Sequence, residues 1–143
     1  MKIMTKQILD KIKAISIHAP HAYAICLGLK PFEYRNSPTK RRGWVLIHAS
    51  QSKDSDYCFK EYKINPADIK RSAIIGAAYI ADCIPDSQGG YAYRMTRAIL
   101  FKTPIEKVKG CQAVFWGHCK DPHKIRAFEQ AIEQIRINLK ARG

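Results

Sequence analysis

The sequence predicts an α+β chain built around one small mixed β-barrel with flanking helices and an added C-terminal amphipathic helix. Three observations carry that expectation. Five or six short apolar runs are separated by Gly, Pro, Asn and Asp punctuation, not by the long regular helices of a doubly wound sheet. Short helical segments with their own start and stop residues fall between those runs. The last segment repeats its apolar residues at steps of three and four, a period only a helix can use. A chain of 143 residues suits one domain, and at that size folding buries roughly 68% of the unfolded surface. We therefore expect a single domain over 1–143. Its core runs from about 14 to 117, with a helical extension at 1–13 and a C-terminal helix at about 121–140.

In chain order, residues 5–13 can form a short helix with Ile8, Leu9 and Ile12 on one side. Residues 14–18 (AISIH) read as a strand. Pro20 suits the first turn of a helix that runs to Leu27 and stops at Gly28. Residues 29–35 look extended, and Pro31 keeps them out of the middle of a sheet. A basic loop leads to a strand at 44–49. Residues 53–63 can make a helix capped by Asp54, followed by a turn opened by Asn65 and Pro66. The run 73–84 is the most strand-like in the chain, with Gly76 marking a bulge. After the turn PDSQGG come a strand at 91–101 and a last one at 112–116. Asp121 and Pro122 start the final helix, whose stripe Ile125, Phe128, Ile132, Ile135 and Leu139 should lie on the domain or on a partner helix. Lys124, Arg126, Arg136 and Lys140 should then face outward.

Lysine and arginine total 25 against 12 acids, a formal charge of +13. An excess of that size points to a polyanionic partner, RNA or DNA before an acidic membrane surface. No apolar run approaches the length of a membrane span, and the first residues alternate charged with apolar, so a soluble, cytoplasmic protein is expected. The five cysteines form no C-x-x-C pair and read as reduced thiols. Cys111, His118, Cys119 and His123 crowd together, but their spacing fits no common zinc pattern, so neither a metal nor a cofactor is expected. Dinucleotide, phosphate-loop, nucleophile-elbow and zincin motifs are all absent.

The informative stretch is 16–50. A helix ends at Gly28, and the chain turns into an extended segment bearing Lys30, Glu33 and Arg35. In extended chain Glu33 and Arg35 share a side. By spacing alone these charges either build a polar cleft or make a surface ion pair worth under about 1 kcal/mol. The spaced pattern H-x-P-x-A-x-x-I-x-x-G-x-K-x-x-E-x-R, from His18 to Arg35, resembles the opening motif of the ASCH domain, a family with a PUA-like barrel. Blocks at 47–50, 74–83 and 104–116 resemble its later segments in the same order.

The resemblance implies a cleft beside the first barrel helix, a role on RNA or another nucleic acid, and no required cofactor. Lys30, Glu33 and Arg35 carry over as its cleft residues, with His18, Pro20, His21 and His48 in the matched blocks. Some ASCH proteins remove the acyl group from N4-acetylcytidine, and at least one is a ribonuclease. The amidohydrolases carry threonine where Glu33 stands, and the glutamate version is closer to the cointegrator-type, nucleic-acid-binding members. If the chain is an enzyme, Lys30 and Glu33 are the expected catalytic pair. Three histidines near one cleft also suit acid–base cleavage of RNA. The plainer reading, in which His21 opens a helix and His48 alternates with core residues in a strand, is the preferred one, because two-histidine catalysis requires a specific geometry. Outside the cleft, Lys40, Arg41 and Arg42 beside Trp44 are the expected phosphate contacts. Arg94 and Arg97 beside Tyr91 and Tyr93 make a second basic-aromatic cluster suited to unpaired bases. A monomer is expected, with the C-terminal helix the one place for a protein partner.

Overall fold

The structure, a computed structural model, describes residues 2–142; Met1 and Gly143, the ends of the expected domain, lie outside the described residues. In chain order the elements are α1 (Lys2–Lys11), β1 (Lys13–Ile17), α2 (Ala19–Cys26), β2 (Phe32–Arg35), β3 (Gly43–Ala49), α3 (Cys58–Tyr62), a 3-10 turn (Pro66–Asp68), β4 (Ala73–Pro85), β5 (Tyr91–Ile105) and α4 (Pro122–Arg142). The five strands form one mixed sheet in the order β1-β3-β4-β5-β2, with β1 parallel to β3 and every other pair antiparallel. The sheet curls into a half-barrel whose two free edges are β1 and β2. Pro31 just precedes β2, and an edge is where a proline at that position is tolerated.

Two apolar layers hold the sheet. On the concave side, α2 buries Ala22, Tyr23, Ile25 and Cys26 against Ile15, Ile17, Val45, Ile47, Ile75, Ala78 and Ile80. On the convex side, α4 buries Phe128, Ala131, Ile132 and Ile135 against Leu46, Ile74, Ala77, Ile99, Phe101 and Trp116. Residues 73–78 of β4 are therefore buried on both faces, which is why they read as an unbroken apolar run. Ile47 pairs with Gly76 but His48 pairs with Ile74, so Ile75 is the extra residue of a bulge beside the expected glycine.

Several boundaries differ from the sequence expectation. The first helix ends at Lys11 because Lys13 already pairs with Val45, and Ile8 is largely exposed while Leu9 and Ile12 pack inward. The helix expected at 53–63 is reduced to α3. Asp54 does not cap it: the Asp54 amide is bonded to Ser52 Oγ, and residues 54–57 run through tight turns, with Cys58 N bonded to Ser55 O. The last strand expected at 112–116 does not form. That segment makes one bridge, Trp116 to Ala14, and otherwise crosses the barrel end as irregular chain. Asp121 caps α4 through its carboxylate on the His123 amide at 2.9 Å. Leu139 is exposed, off the buried stripe of the helix. Lys124 turns inward instead of outward, with its ammonium 5.0 Å from the centre of the Trp116 ring. Among the described residues no helix is long and apolar enough to cross a membrane.

Candidate functional site

Because β1 and β2 are both edges, no backbone ladder closes the gap between them. A cleft of about 400 Å³ opens there. Ser16 and Ile17 of β1 line one wall, His18 and His21 come from α2 and its cap, and Lys30, Glu33, Tyr34 and Arg35 form the β2 wall. The chain reaches this arrangement through a sharp helix stop. The Leu29 and Lys30 amides both bond Ala24 O, at 2.8 and 3.2 Å, and Gly28 adopts φ +78° to make that turn. Pro31 then offers its carbonyl to Met95 N at 2.7 Å and docks β2 onto β5.

Lys30, Glu33 and Arg35 converge. Glu33 is only 7% exposed, so its charge needs partners. Its Oε2 accepts from Arg35 Nε at 2.8 Å, and its Oε1 lies 3.7 Å from Lys30 Nζ. Arg35 Nη2 donates to Ser16 O at 2.9 Å, so one guanidinium ties the two open edges together. Lys30 Nζ donates to Phe32 O and stands 4.7 Å from the centre of the Tyr34 ring, which is 55% exposed. One acid between two cations leaves the cleft with one net positive charge, the complement of one phosphodiester. Burial pulls the Lys30 pKa below the ordinary lysine value, with the Glu33 carboxylate opposing it.

His18 and His21 also face the cleft, each held from behind by a group the sequence gave no sign of. His18 Nδ1 lies 2.6 Å from Ser55 Oγ, and His21 Nδ1 lies 2.9 Å from Tyr62 Oη. Both partners come from the segment around α3, a long-range pairing with no local signature. Burial, and next the Lys30 charge, lowers the His21 pKa, so this ring is neutral at neutral pH.

His48 does not line the cleft. Strand alternation turns Ile47 toward α2 and therefore His48 toward the opposite layer, where it is 2% exposed. Its Nε2 donates to Val108 O at 2.6 Å, which leaves Nδ1 to accept from Ser16 Oγ at 2.9 Å. Trp116 Nε1 in turn donates to Ser16 Oγ at 3.1 Å, completing a buried chain of satisfied groups. Burial lowers the His48 pKa, and the neutral ring is the form this chain needs. His48→Ala is expected to cost about 3 kcal/mol, from the cavity plus the orphaned Val108 carbonyl and Ser16 hydroxyl. Because the pKa values of His48 and His21 are both lowered on folding, the unfolded state binds more protons below its own histidine value of about 6.5. Stability is thus full above that pH and falls as pH drops below it. Urea midpoints at pH 7.5 and 5.5 measure this, and His48→Ala should flatten the difference.

The remaining expected contacts scatter. Lys40 is exposed in the loop after β2, while Arg41 lies 5.2 Å over the Phe115 ring. Arg42 approaches Asp82 at 3.8 Å. The expected cluster of Arg94 and Arg97 with Tyr91 and Tyr93 does not assemble. Tyr93 points into the core with its hydroxyl on Ser37 O at 2.7 Å, Tyr91 packs against the same core, and Arg94 lies on the other side of the strand, exposed. Arg97 instead covers Tyr79, 4.9 Å from its ring centre. Cys111, His118, Cys119 and His123 each go to separate partners: Lys124, Asp10, Gly117 O and Lys107 O. Among the described residues no three His, Cys, Asp or Glu side chains group as a metal would require.

No protein-family model matches the chain, and no curated protein matches it in sequence. Solved structures do match in shape. The crystal structure of ASCH from Zymomonas mobilis superposes with a TM-score of 0.54 at 15% identity, covering 90% of this chain and 95% of that one. Two point variants of the same protein, ZmASCH, superpose with a TM-score of 0.54, at 16% and 15% identity. The first covers 89% of this chain and 98% of that one, the second 90% and 97%. This chain therefore has the fold of these ASCH structures, a curled half-barrel sheet with flanking helices.

Proposed function

We propose that this chain is an ASCH-family module that binds nucleic acid, RNA foremost, by taking an unpaired nucleotide into the cleft between β1 and β2. The observation that carries the reading is the buried Glu33 carboxylate set between Lys30 and Arg35. A carboxylate there accepts from an exocyclic base amine, while the two cations meet phosphate or carbonyl oxygens. Tyr34, exposed at the opening, offers a face for base stacking. The +13 charge supplies the long-range attraction.

Fluorescence anisotropy of short single-stranded RNA, single-stranded DNA and duplex DNA over a salt series tests it. The expected result is a preference for single strands, affinity that falls as salt rises, and a loss of roughly tenfold or more in Lys30→Ala. Binding equal for all three polymers and untouched by Lys30→Ala would sink the reading. The lowered Lys30 pKa adds a pH signature: affinity should decline with rising pH sooner than an ordinary lysine would allow.

A second reading rests on that same Lys30, whose neutral amine burial favours, and on two cleft histidines whose Nδ1 atoms are already anchored. Under it the chain is a small metal-independent hydrolase of a modified nucleoside such as N4-acetylcytidine, with Lys30 and Glu33 catalytic, or a ribonuclease using His18 and His21. Incubation with N4-acetylcytidine and with RNA, without turnover of either, removes it.

A further inference from the structure

A second groove lies toward the start of β1, away from the cleft. It holds about 470 Å³ between α1 and the loop joining β2 to β3, with Lys11, Arg41, Arg42 and Trp44 in its walls. Its lining contains no acid, unlike the cleft, where Glu33 neutralises one of two cations. The loop backbone at Arg41 and the Arg42 side chain are both held in place. The Arg41 amide is bonded to Thr39 Oγ1 at 3.0 Å, and Arg42 Nη1 donates to Thr39 O at 3.1 Å and Arg41 O at 2.9 Å. Their nearest acid is the exposed Asp82, 3.8 Å from Arg42 Nη2. The Arg42 guanidinium, fixed in this way, loses little freedom when it meets a phosphate.

The groove and the cleft lie at opposite ends of β1. Ile12, just before the strand, borders the groove and Ile17 the cleft, five residues apart, or about 17 Å. Phe115, half-buried against the core, stacks on Tyr93 at 6.0 Å and carries Arg41 over its ring. Tyr93 pairs with Glu33 across β2 and β5, so these two rings link the wall of the cleft to Arg41 of the groove.

We infer that the groove is the second half of a single-stranded polynucleotide track. One base occupies the cleft, and phosphates on the order of three to five nucleotides away lie on Lys11, Arg41 and Arg42. The inference rests on the nucleotide-binding reading of the cleft and adds the direction and length of the bound strand. It also gives α1 a function, since Lys11 lies outside the segment that resembles the ASCH motif.

The test is anisotropy of fluorescein-labelled oligouridylates from two to twelve nucleotides, over a salt series, for the wild type, Lys11→Ala/Arg42→Ala and Lys30→Ala. The wild type should show an affinity step once the strand is long enough to span both sites. The double variant, with an unchanged melting temperature, should lose that step and lower the salt slope by about 1.4. Retention of step and slope in the double variant overturns the track while leaving the cleft reading intact. A Lys30→Ala protein that binds every length as the wild type does sinks the cleft reading instead. Duplex DNA losing the same slope as the single strand overturns the single-strand assignment.

Discussion

Gly76→Ala is expected to destabilise the protein by more than about 3 kcal/mol, the largest effect of any single methyl group added to this chain. A Cβ at Gly76 would meet Ile99 O at 2.1 Å and Cys26 Sγ at 2.5 Å. The two obstacles sit on opposite supports of β4: Ile99 is in the neighbouring strand β5, and Cys26 ends the helix that fills the concave core. Relief would require either the β4–β5 ladder or the α2 docking to give way, and a packed interior resists both. Urea unfolding should show a large fall in midpoint with an unchanged slope. Cys26→Ala added to Gly76→Ala should recover little, because the carbonyl is backbone and cannot rotate away. Full recovery would mean that the sulfur, not the strand, sets the limit.

Glu33→Ala is the second large effect, and it acts in two directions. Removing the acid leaves Lys30 and Arg35 facing each other in a half-buried cleft with no counter-charge. Breaking one partner of a buried ionic group costs about 3 kcal/mol, or roughly 10 °C in melting temperature for a chain of this size. At the same time the net charge of the cleft rises from one positive to two. Affinity for a polyanion should therefore hold or increase, while discrimination between bases is lost with the Glu33 carboxylate. Thermal melts with and without excess oligonucleotide measure both: added RNA should restore more stability to Glu33→Ala than it gives the wild type. Equal restoration in the two proteins would show that no phosphate approaches these cations. Glu33→Gln, which keeps the volume and one acceptor oxygen, should fall between them.

Much of this site was legible because its three charged residues lie within six positions of one another. Helix stop, proline and extended chain are local rules, and they place Glu33 and Arg35 on one side before any tertiary contact is known. The histidines were legible only in part. His18 and His21 reach the cleft, but their anchors Ser55 and Tyr62 arrive from 37 and 41 residues away. For His48 the sequence left two readings, cleft wall or core face of a strand, and the parity of its strand sends it to the core. The basic-aromatic cluster on β5 failed for the same reason, since alternation separates Tyr93 from Arg94.

By itself the sequence determined the mixed α+β architecture, the excess of positive charge and the placing of Glu33 and Arg35 on one side of an extended segment. Each follows from local periodicity, turn residues or counting. The tertiary structure alone decided that β1 and β2 are left as facing free edges, and so that the Lys30–Glu33–Arg35 grouping opens onto a cleft instead of lying on a surface. It also decided that 112–116 crosses the barrel end as irregular chain and that the 36–42 loop meets α1 across a groove. These outcomes depend on how far the sheet curls before its edges meet. That curl is set by the bulge at Ile75, the close approach at Gly76 and the bulk of α2 in the concave face, whose combined effect no single stretch of sequence encodes.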